Sequence, residues 1–320
     1  MMWLLIALTL VVVGLALTYV GFFCSQKFIR PKRSEPLVTP QAVGLADVLE
    51  VSFETADGVT LAAWYAPPRQ EGKTLIFVHG LGGNRGACLL QAAYVQKLGY
   101  GVLLLDMRNH GTSGGNITSL AYHETEDVKA AYSFLKAQPE VNPAGIGLVG
   151  HSMGAAVALR AAAELPELSA LIVQCGFASL AENVQAALRI KVGRMAPLFA
   201  PIIQLAFRLR TGVSVADVKP IDTLKDLELP ILFIHGACDR LISVSNTERM
   251  YEAYSGTKEL HILKKGSHRS LLGRHFRKFA PVLKVFLETH VGEAKQGNEE
   301  FKPIPVSQFA YQNHRGSLRV

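Results

Sequence analysis

The chain has 320 residues, 49% of them apolar, and a formal net charge of +7 at neutral pH. That length holds one large α/β domain with its own core plus attachments. No basic stripe carries interleaved aromatics, so no nucleic-acid partner is expected. The four cysteines (Cys24, Cys88, Cys175, Cys238) are scattered without C-x-x-C spacing, so neither a disulfide framework nor a metal site is expected.

From the N-terminus, Met1 to Phe23 is almost wholly apolar and carries no side chain charged at neutral pH. At 1.5 Å rise per residue, such a helix can cross a ~30 Å hydrocarbon core, so residues 1–23 are expected to form a transmembrane anchor. A cleaved signal peptide would want a charged segment before the apolar run and a small-x-small cleavage site. No Lys or Arg precedes this run, and Gly21-Phe22-Phe23-Cys24 lacks the small residue before a cleavable bond. Lys27, Arg30, Lys32 and Arg33 follow, a patch suited to anionic lipid. The positive-inside rule puts them and the domain behind them on the cytoplasmic side. Residues 24–46, with Pro31, Pro36 and Pro40, read as a juxtamembrane linker.

The domain itself is expected over residues 47–290. Val48 to Glu54 and Val59 to Tyr65 alternate about Asp57-Gly58, which predicts a hairpin. Short apolar strands and helices then alternate. Strands are predicted at Thr74–Val78, Gly101–Leu105, Ile146–Val149, Ala170–Gln174, Ile231–Ile234 and Glu259–Leu263. Helices are predicted at Asn84–Leu98, Ala121–Ala137, Met153–Glu164, Ser243–Ser255 and Leu271–His290. Strands apolar at every position suit a mostly parallel, doubly wound sheet covered on both faces. Residues 178–229 are far longer than a crossover helix needs and read as a helical cap over the site. Within that stretch, Met195 to Phe207 looks too short and too broken by proline to span a bilayer, though suited to lying on one. Residues 291–320 lose periodicity and read as a disordered tail.

Gly150-His151-Ser152-Met153-Gly154 falls where a strand meets a helix. A serine on such a turn has its hydroxyl pushed outward, and the flanking glycines avoid clashes with strand and helix. A second match, Gly111-Thr112-Ser113-Gly114-Gly115, lacks a helix behind its serine and reads as a glycine-rich loop. Ser152 is therefore the candidate nucleophile. A serine hydroxyl needs a base and a group orienting that base. In a doubly wound sheet these belong in loops after strands. Asp239 and His268 occupy such places, in the order Ser, Asp, His. His110 is the runner-up base. His151 adjoins the serine but is expected to point away from the turn's tip, and Asp106 is expected to be structural. Oxyanion donors are expected from the backbone N–H groups of Leu81, in His79-Gly80-Leu81-Gly82-Gly83-Asn84, and of Met153, with Asn84 capping the next helix.

These motifs, with Asp106-Met107-Arg108-Asn109-His110-Gly111 and His235-Gly236-x-x-Asp239, resemble an α/β-hydrolase of the serine hydrolase type. The resemblance covers about Val48 to His290. It is similar to the monoacylglycerol-lipase, serine-aminopeptidase and membrane-anchored ABHD-like members. It implies Ser152 as nucleophile, His268 as base, Asp239 as orienter, and no cofactor. A serine at the elbow argues against the dehalogenase and epoxide-hydrolase branches. The expected activity is hydrolysis of an acyl bond through an acyl-enzyme. The anchor and apolar cap favour a lipophilic carboxylic ester such as a monoacylglycerol or lysophospholipid, with membrane lipid as a further partner. A thioesterase, a serine peptidase or an inactive membrane scaffold are the alternatives.

Overall fold

The computed structural model describes residues 1–69 and 72–292. The strands are β1 (Leu49–Glu54), β2 (Thr60–Ala66), β3 (Thr74–Val78), β4 (Gly101–Asp106), β5 (Ile146–His151), β6 (Ala170–Gln174), β7 (Ile231–Gly236) and β8 (Lys258–Leu263). They form one sheet in the order β1-β2-β4-β3-β5-β6-β7-β8. The hairpin and its β2–β4 junction are antiparallel, and every later pair is parallel. The helices are α1 (Met2–Ile29), α2 (Leu89–Lys97), α3 (Glu124–Lys136), α4 (Met153–Ala162), α5 (Leu180–Val192), α6 (Ala196–Thr211), α7 (Pro220–Thr223), α8 (Ser245–Ala253) and α9 (Phe276–His290).

Successive strand residues face opposite ways, which divides the core in two. Ile76, Val78, Leu103 and Leu105 face α3 and α4. Leu75, Phe77, Val102 and Leu104 face α2 and α9. Both faces are covered, which is why these strands are apolar at every position.

Three helices begin three or more residues later than the periodicity predicts, and each delay has a polar cause. Asn84 accepts from Gly86 N–H, and Arg85 N–H is taken by Asp106, so a 3₁₀ turn precedes α2. The buried Glu124 carboxylate accepts from Ser119 and Ala121, holding Leu120 and Ala121 at positive φ before α3. Ser270 ties Ser267 and His275 into a turn that postpones α9.

The N-terminal segment departs from the linker expectation. Ile29 is fully buried, and its carbonyl accepts from Thr118 N–H and Asn109 Nδ2. Val43 and Leu45 join the α2/α9 core. Residues 24–46 are thus packed on the domain. Residues 178–229, expected as a cap, contain α5, α6 and α7. Leu180–Thr211 is a 32-residue helical stretch long and apolar enough, by length and composition alone, to cross a membrane. Met195–Phe207, expected to be too short and too broken by proline to span, lies within this longer stretch: Pro197 sits in the first turn of α6, where a missing N–H costs little, and helix continues through Pro201. A bend at Gly193 (φ 58°) divides the stretch into α5 and α6. The tail expected at 291–320 lies, from residue 293 onward, outside the described residues.

Candidate active site

Ser152 stands between β5 and α4 with φ 58° and ψ −119°, a conformation side chains rarely adopt. Its N–H donates to Gln174 O on β6 at 2.8 Å. A Cβ at Gly150 would lie 2.4 Å from Gly154 O, and one at Gly154 would lie 2.2 Å from Val78 O. Both flanking glycines are therefore demanded by the turn. The N-terminus of α4 points its partial positive charge at the serine.

The structure brings Ser152, His268 and Asp239 into one hydrogen-bonded line. His268 Nε2 lies 2.8 Å from Ser152 Oγ, and its Nδ1 lies 2.6 Å from Asp239 Oδ2. The Asp239 side chain is wholly buried after β7, and its other oxygen accepts from Leu241 and Ile242 N–H. Burial pushes this carboxyl up, but hydrogen bonds from His235 and His268, the His268 charge and the Ile242 N–H outweigh it. The acid is held well below the usual carboxylate range. As a fixed anion it selects the His268 tautomer that leaves Nε2 free to take the serine proton.

Two histidines to which sequence reasoning assigned no supporting role, His235 and His151, brace this line. His235 Nε2 approaches both Ile242 O (3.0 Å) and Asp239 Oδ2 (3.3 Å), so it carries the proton, and Nδ1 accepts from Thr247. Its position at the end of β7, four residues before Asp239, was the available signal. His151 does not reach Ser152 as a base; its Nε2 lies 2.9 Å from the His268 carbonyl. Burial and the neighbouring His268 push the His151 imidazole down to about 3, so it stays neutral and donates to that carbonyl.

Leu81 and Met153 both line the cavity beside Ser152. Among the described residues neither main-chain N–H has a hydrogen-bond acceptor. The loop carrying Leu81 is fixed by two histidines. Met107 N–H donates to His79 Nε2 at 3.2 Å, so His79 Nδ1 carries the proton, which it donates to Gly80 O at 2.8 Å. Gly82 N–H donates to His110 Nε2 at 3.0 Å, and His110 Nδ1 donates to Arg108 O. Burial pushes both imidazoles down, His79 to about 3. The runner-up base His110 is therefore a neutral brace. Asp106 is structural as expected, accepting from Arg85 and Thr112 N–H. Asn84 caps its turn, and Ser113 is spent on Asp106 O and Ala62 N–H.

Residues 31–36 lie directly on this loop. Asn84 Nδ2 donates to Ser34 O at 3.0 Å, Pro36 packs on Gly86, and Pro31 abuts Gly82. Arg33 donates to Ser113 O at 2.8 Å and to Gly115 O, clamping the loop that carries His110. A cavity of about 610 Å³ opens above Ser152 and His268. Its roof comes from Phe23, Lys27 and Phe28 of α1, Val184 and Leu188 of α5, and Phe207 of α6. That volume falls within the range of small-molecule binding sites.

Two triplets, His151–Cys175–His268 and Cys175–His235–Asp239, place ligand-type atoms within 4.8 Å of one another. Both nitrogens of His268 and of His235 are already engaged, so a cation there would break the Ser152–His268–Asp239 line. Burial and the Asp239 charge push the Cys175 thiol up, leaving it protonated and a poor ligand. The donor set fits proton transfer, not metal binding.

A family model described as the alpha/beta hydrolase fold matches residues 73–219. The uncharacterized protein YqkD of Bacillus subtilis is 32% identical over 274 residues, covering 82% of this chain and 89% of its own. The uncharacterized protein Rv2307c of Mycobacterium tuberculosis is 30% identical over 212 residues, covering 65% and 68%. Among solved structures, the Pyrococcus furiosus esterase Pf2001 superposes with a TM-score of 0.68 at 24% identity, covering 83% of this chain and 99% of that one. Acetyl xylan esterase 1 from Thermoanaerobacterium gives 0.57 at 19% identity, covering 85% and 93%. At such identities the likeness is one of fold. The family model, the sheet order and the serine turn agree: this chain belongs to the alpha/beta hydrolase fold family.

Proposed function

We propose that this protein is a membrane-anchored serine hydrolase cleaving a carboxylic ester by way of an acyl-enzyme. Ser152 attacks the acyl carbonyl as His268 takes its proton, and the oxyanion rests on the Leu81 and Met153 N–H groups. His268 then returns the proton to the leaving alcohol. Water, deprotonated by His268, releases the acid and restores Ser152. Asp239 remains an anion throughout. The observation that carries this reading is the Ser152–His268–Asp239 line, with contacts of 2.8 and 2.6 Å, at the floor of an apolar cavity. Esterases among the structural neighbours support the same reaction class.

The favoured substrate is a lipophilic ester such as a monoacylglycerol or a lysophospholipid. Two features support it. The cavity is mostly apolar, and α1 is a 28-residue helix, about 42 Å long at the usual rise, whose outer residues Leu4, Leu5, Leu8 and Val12 are exposed. Lys27, Arg30, Lys32 and Arg33 at its end favour a cytoplasmic domain.

Turnover of the detergent-solubilised full chain on esters of graded acyl length, matched thioesters and aminoacyl amides tests the proposal. Ester cleavage that rises with chain length and vanishes in Ser152→Ala is expected. Preference for thioesters or amides would move the substrate to the alternative classes. Full cellular function retained by Ser152→Ala would instead support a scaffold.

A further inference from the structure

Helix α6 has one face buried and one bare. Ala196, Ala200, Ala206 and Phe207 are buried, whereas Leu198, Leu205 and Leu209 are 67%, 58% and 75% exposed. Their spacings of seven and four residues put these leucines on one side of the helix. Ile190, at the end of α5, and Met195, in the turn, add further exposed apolar surface next to them. Lys191, Arg194 and Arg208 border the stripe and are exposed. A helix with a bare aliphatic face and long cations at its edges suits a bilayer interface, where the cations reach the headgroups.

A second observation sets where this face lies. Helix α6 packs closely on α1 at Gly21, where a Cβ would stand 2.7 Å from Ile202 Cγ2 and 3.1 Å from Ile202 O. The Arg210 guanidinium lies 4.3 Å over the Phe22 ring. It donates to Phe22 O at 3.2 Å, to Ser25 Oγ at 3.0 Å and to Gln26 Oε1. The α6 C-terminus is thus fixed at the cationic end of α1, and Ile202 meets α1 nearer its apolar part. The same two helices supply Phe23, Phe28, Ile203 and Phe207 to the cavity above Ser152. The cavity therefore adjoins the seam between them.

We propose that the Leu198–Leu205–Leu209 face is a lipid-bilayer docking surface. With α1 in the membrane, α6 lies in the interface beside it, and the α1–α6 seam passes a single-chain amphiphile from the leaflet to Ser152. This rests on the hydrolase reading above and on α1 being embedded.

The test uses the full chain in lipid vesicles and in neutral detergent. Replacing all three exposed leucines (Leu198→Asn, Leu205→Asn, Leu209→Asn) should leave turnover of a water-soluble short-chain ester unchanged. It should lower kcat/KM for a long-chain ester embedded in vesicles about ten-fold or more, through KM. In parallel, the Leu205→Trp variant should fluoresce at short wavelength in vesicles and be quenched by lipids with brominated chains, after subtraction of the native tryptophan signal. Equal rates on both substrates, an equal loss on both, or a water-like, unquenched emission from the introduced tryptophan would each overturn the proposal. So would a dimer in detergent that the triple substitution splits, because the face would then belong to a second copy. Absence of Ser152-dependent turnover of the soluble ester would sink the hydrolase reading alone, since the quenching experiment reads docking without catalysis.

Discussion

The floor and the roof of the cavity are attached to the protein in different ways. Ser152, Asp239 and His268 follow β5, β7 and β8; main-chain bonds hold the backbone of Ser152 and Asp239, and the His151 side chain holds the His268 carbonyl. Above them, α1, α5 and α6 line the cavity and carry much of the exposed apolar surface. Residues 29–36 join the two, running from Ile29 at the end of α1 to the loop bearing Leu81. On the hydrolase reading proposed above, the chemistry belongs to the floor and substrate choice to the roof, with catalytic geometry partly dependent on the residues that join them.

The strongest way to break this division is Ser152→Ala. It should reduce kcat on every ester about 10⁶-fold while leaving thermal stability in place, as for a nucleophile that acts in concert with its base. Asp239→Asn should cost about 10⁴-fold in kcat with little change in KM, because the amide presents the wrong tautomer to His268. A loss confined to KM would mean that the floor also selects substrate. Arg33→Ala probes the join. Freed from Ser113 O and Gly115 O, the His110 loop should shift the Leu81 N–H, lowering kcat on a short soluble ester about ten- to hundred-fold. An unchanged kcat would separate floor from roof entirely. Val184→Trp, at the roof, should raise KM for long acyl chains about ten-fold and spare short ones, read from a chain-length series.

Acid should act more gradually, through folding. Burial holds His79 and His151 neutral down to about 3, against an ordinary value of 6.5, and lowers His110 as well. The unfolded chain takes up these protons near pH 6.5 and the folded chain does not. Stability is therefore full above that pH and falls as the pH drops towards 3. Urea midpoints measured across this range should decline with acidification, and less steeply in His110→Asn. A flat profile would show that these imidazoles are not held neutral by the fold.

The floor was legible in the sequence because each part has a local cause. The serine turn needs Gly150 and Gly154 beside it, and the partners lie in loops after strands, Asp239 after the wholly buried β7 and His268 after β8. The join was not legible. Residues 24–46 have prolines and no periodicity, which reads as a linker, and their partners are remote: Arg33 meets Ser113 across 80 positions. The braces His79 and His110 were invisible as such, because only the folded loop shows which backbone N–H each accepts. In α6 the prolines suggested breaks. The helix tolerates Pro197 in its first turn, and its pairing with α1 depends on a close contact at Gly21 that no periodicity reveals.

Covalent labelling tests the central claim most directly. Intact-mass and peptide analysis after exposure of the full chain to a fluorophosphonate should find one adduct, on Ser152, abolished in Ser152→Ala and formed far more slowly in Asp239→Asn. A folded chain that stays unlabelled, or that carries its adduct on another residue, would contradict the account.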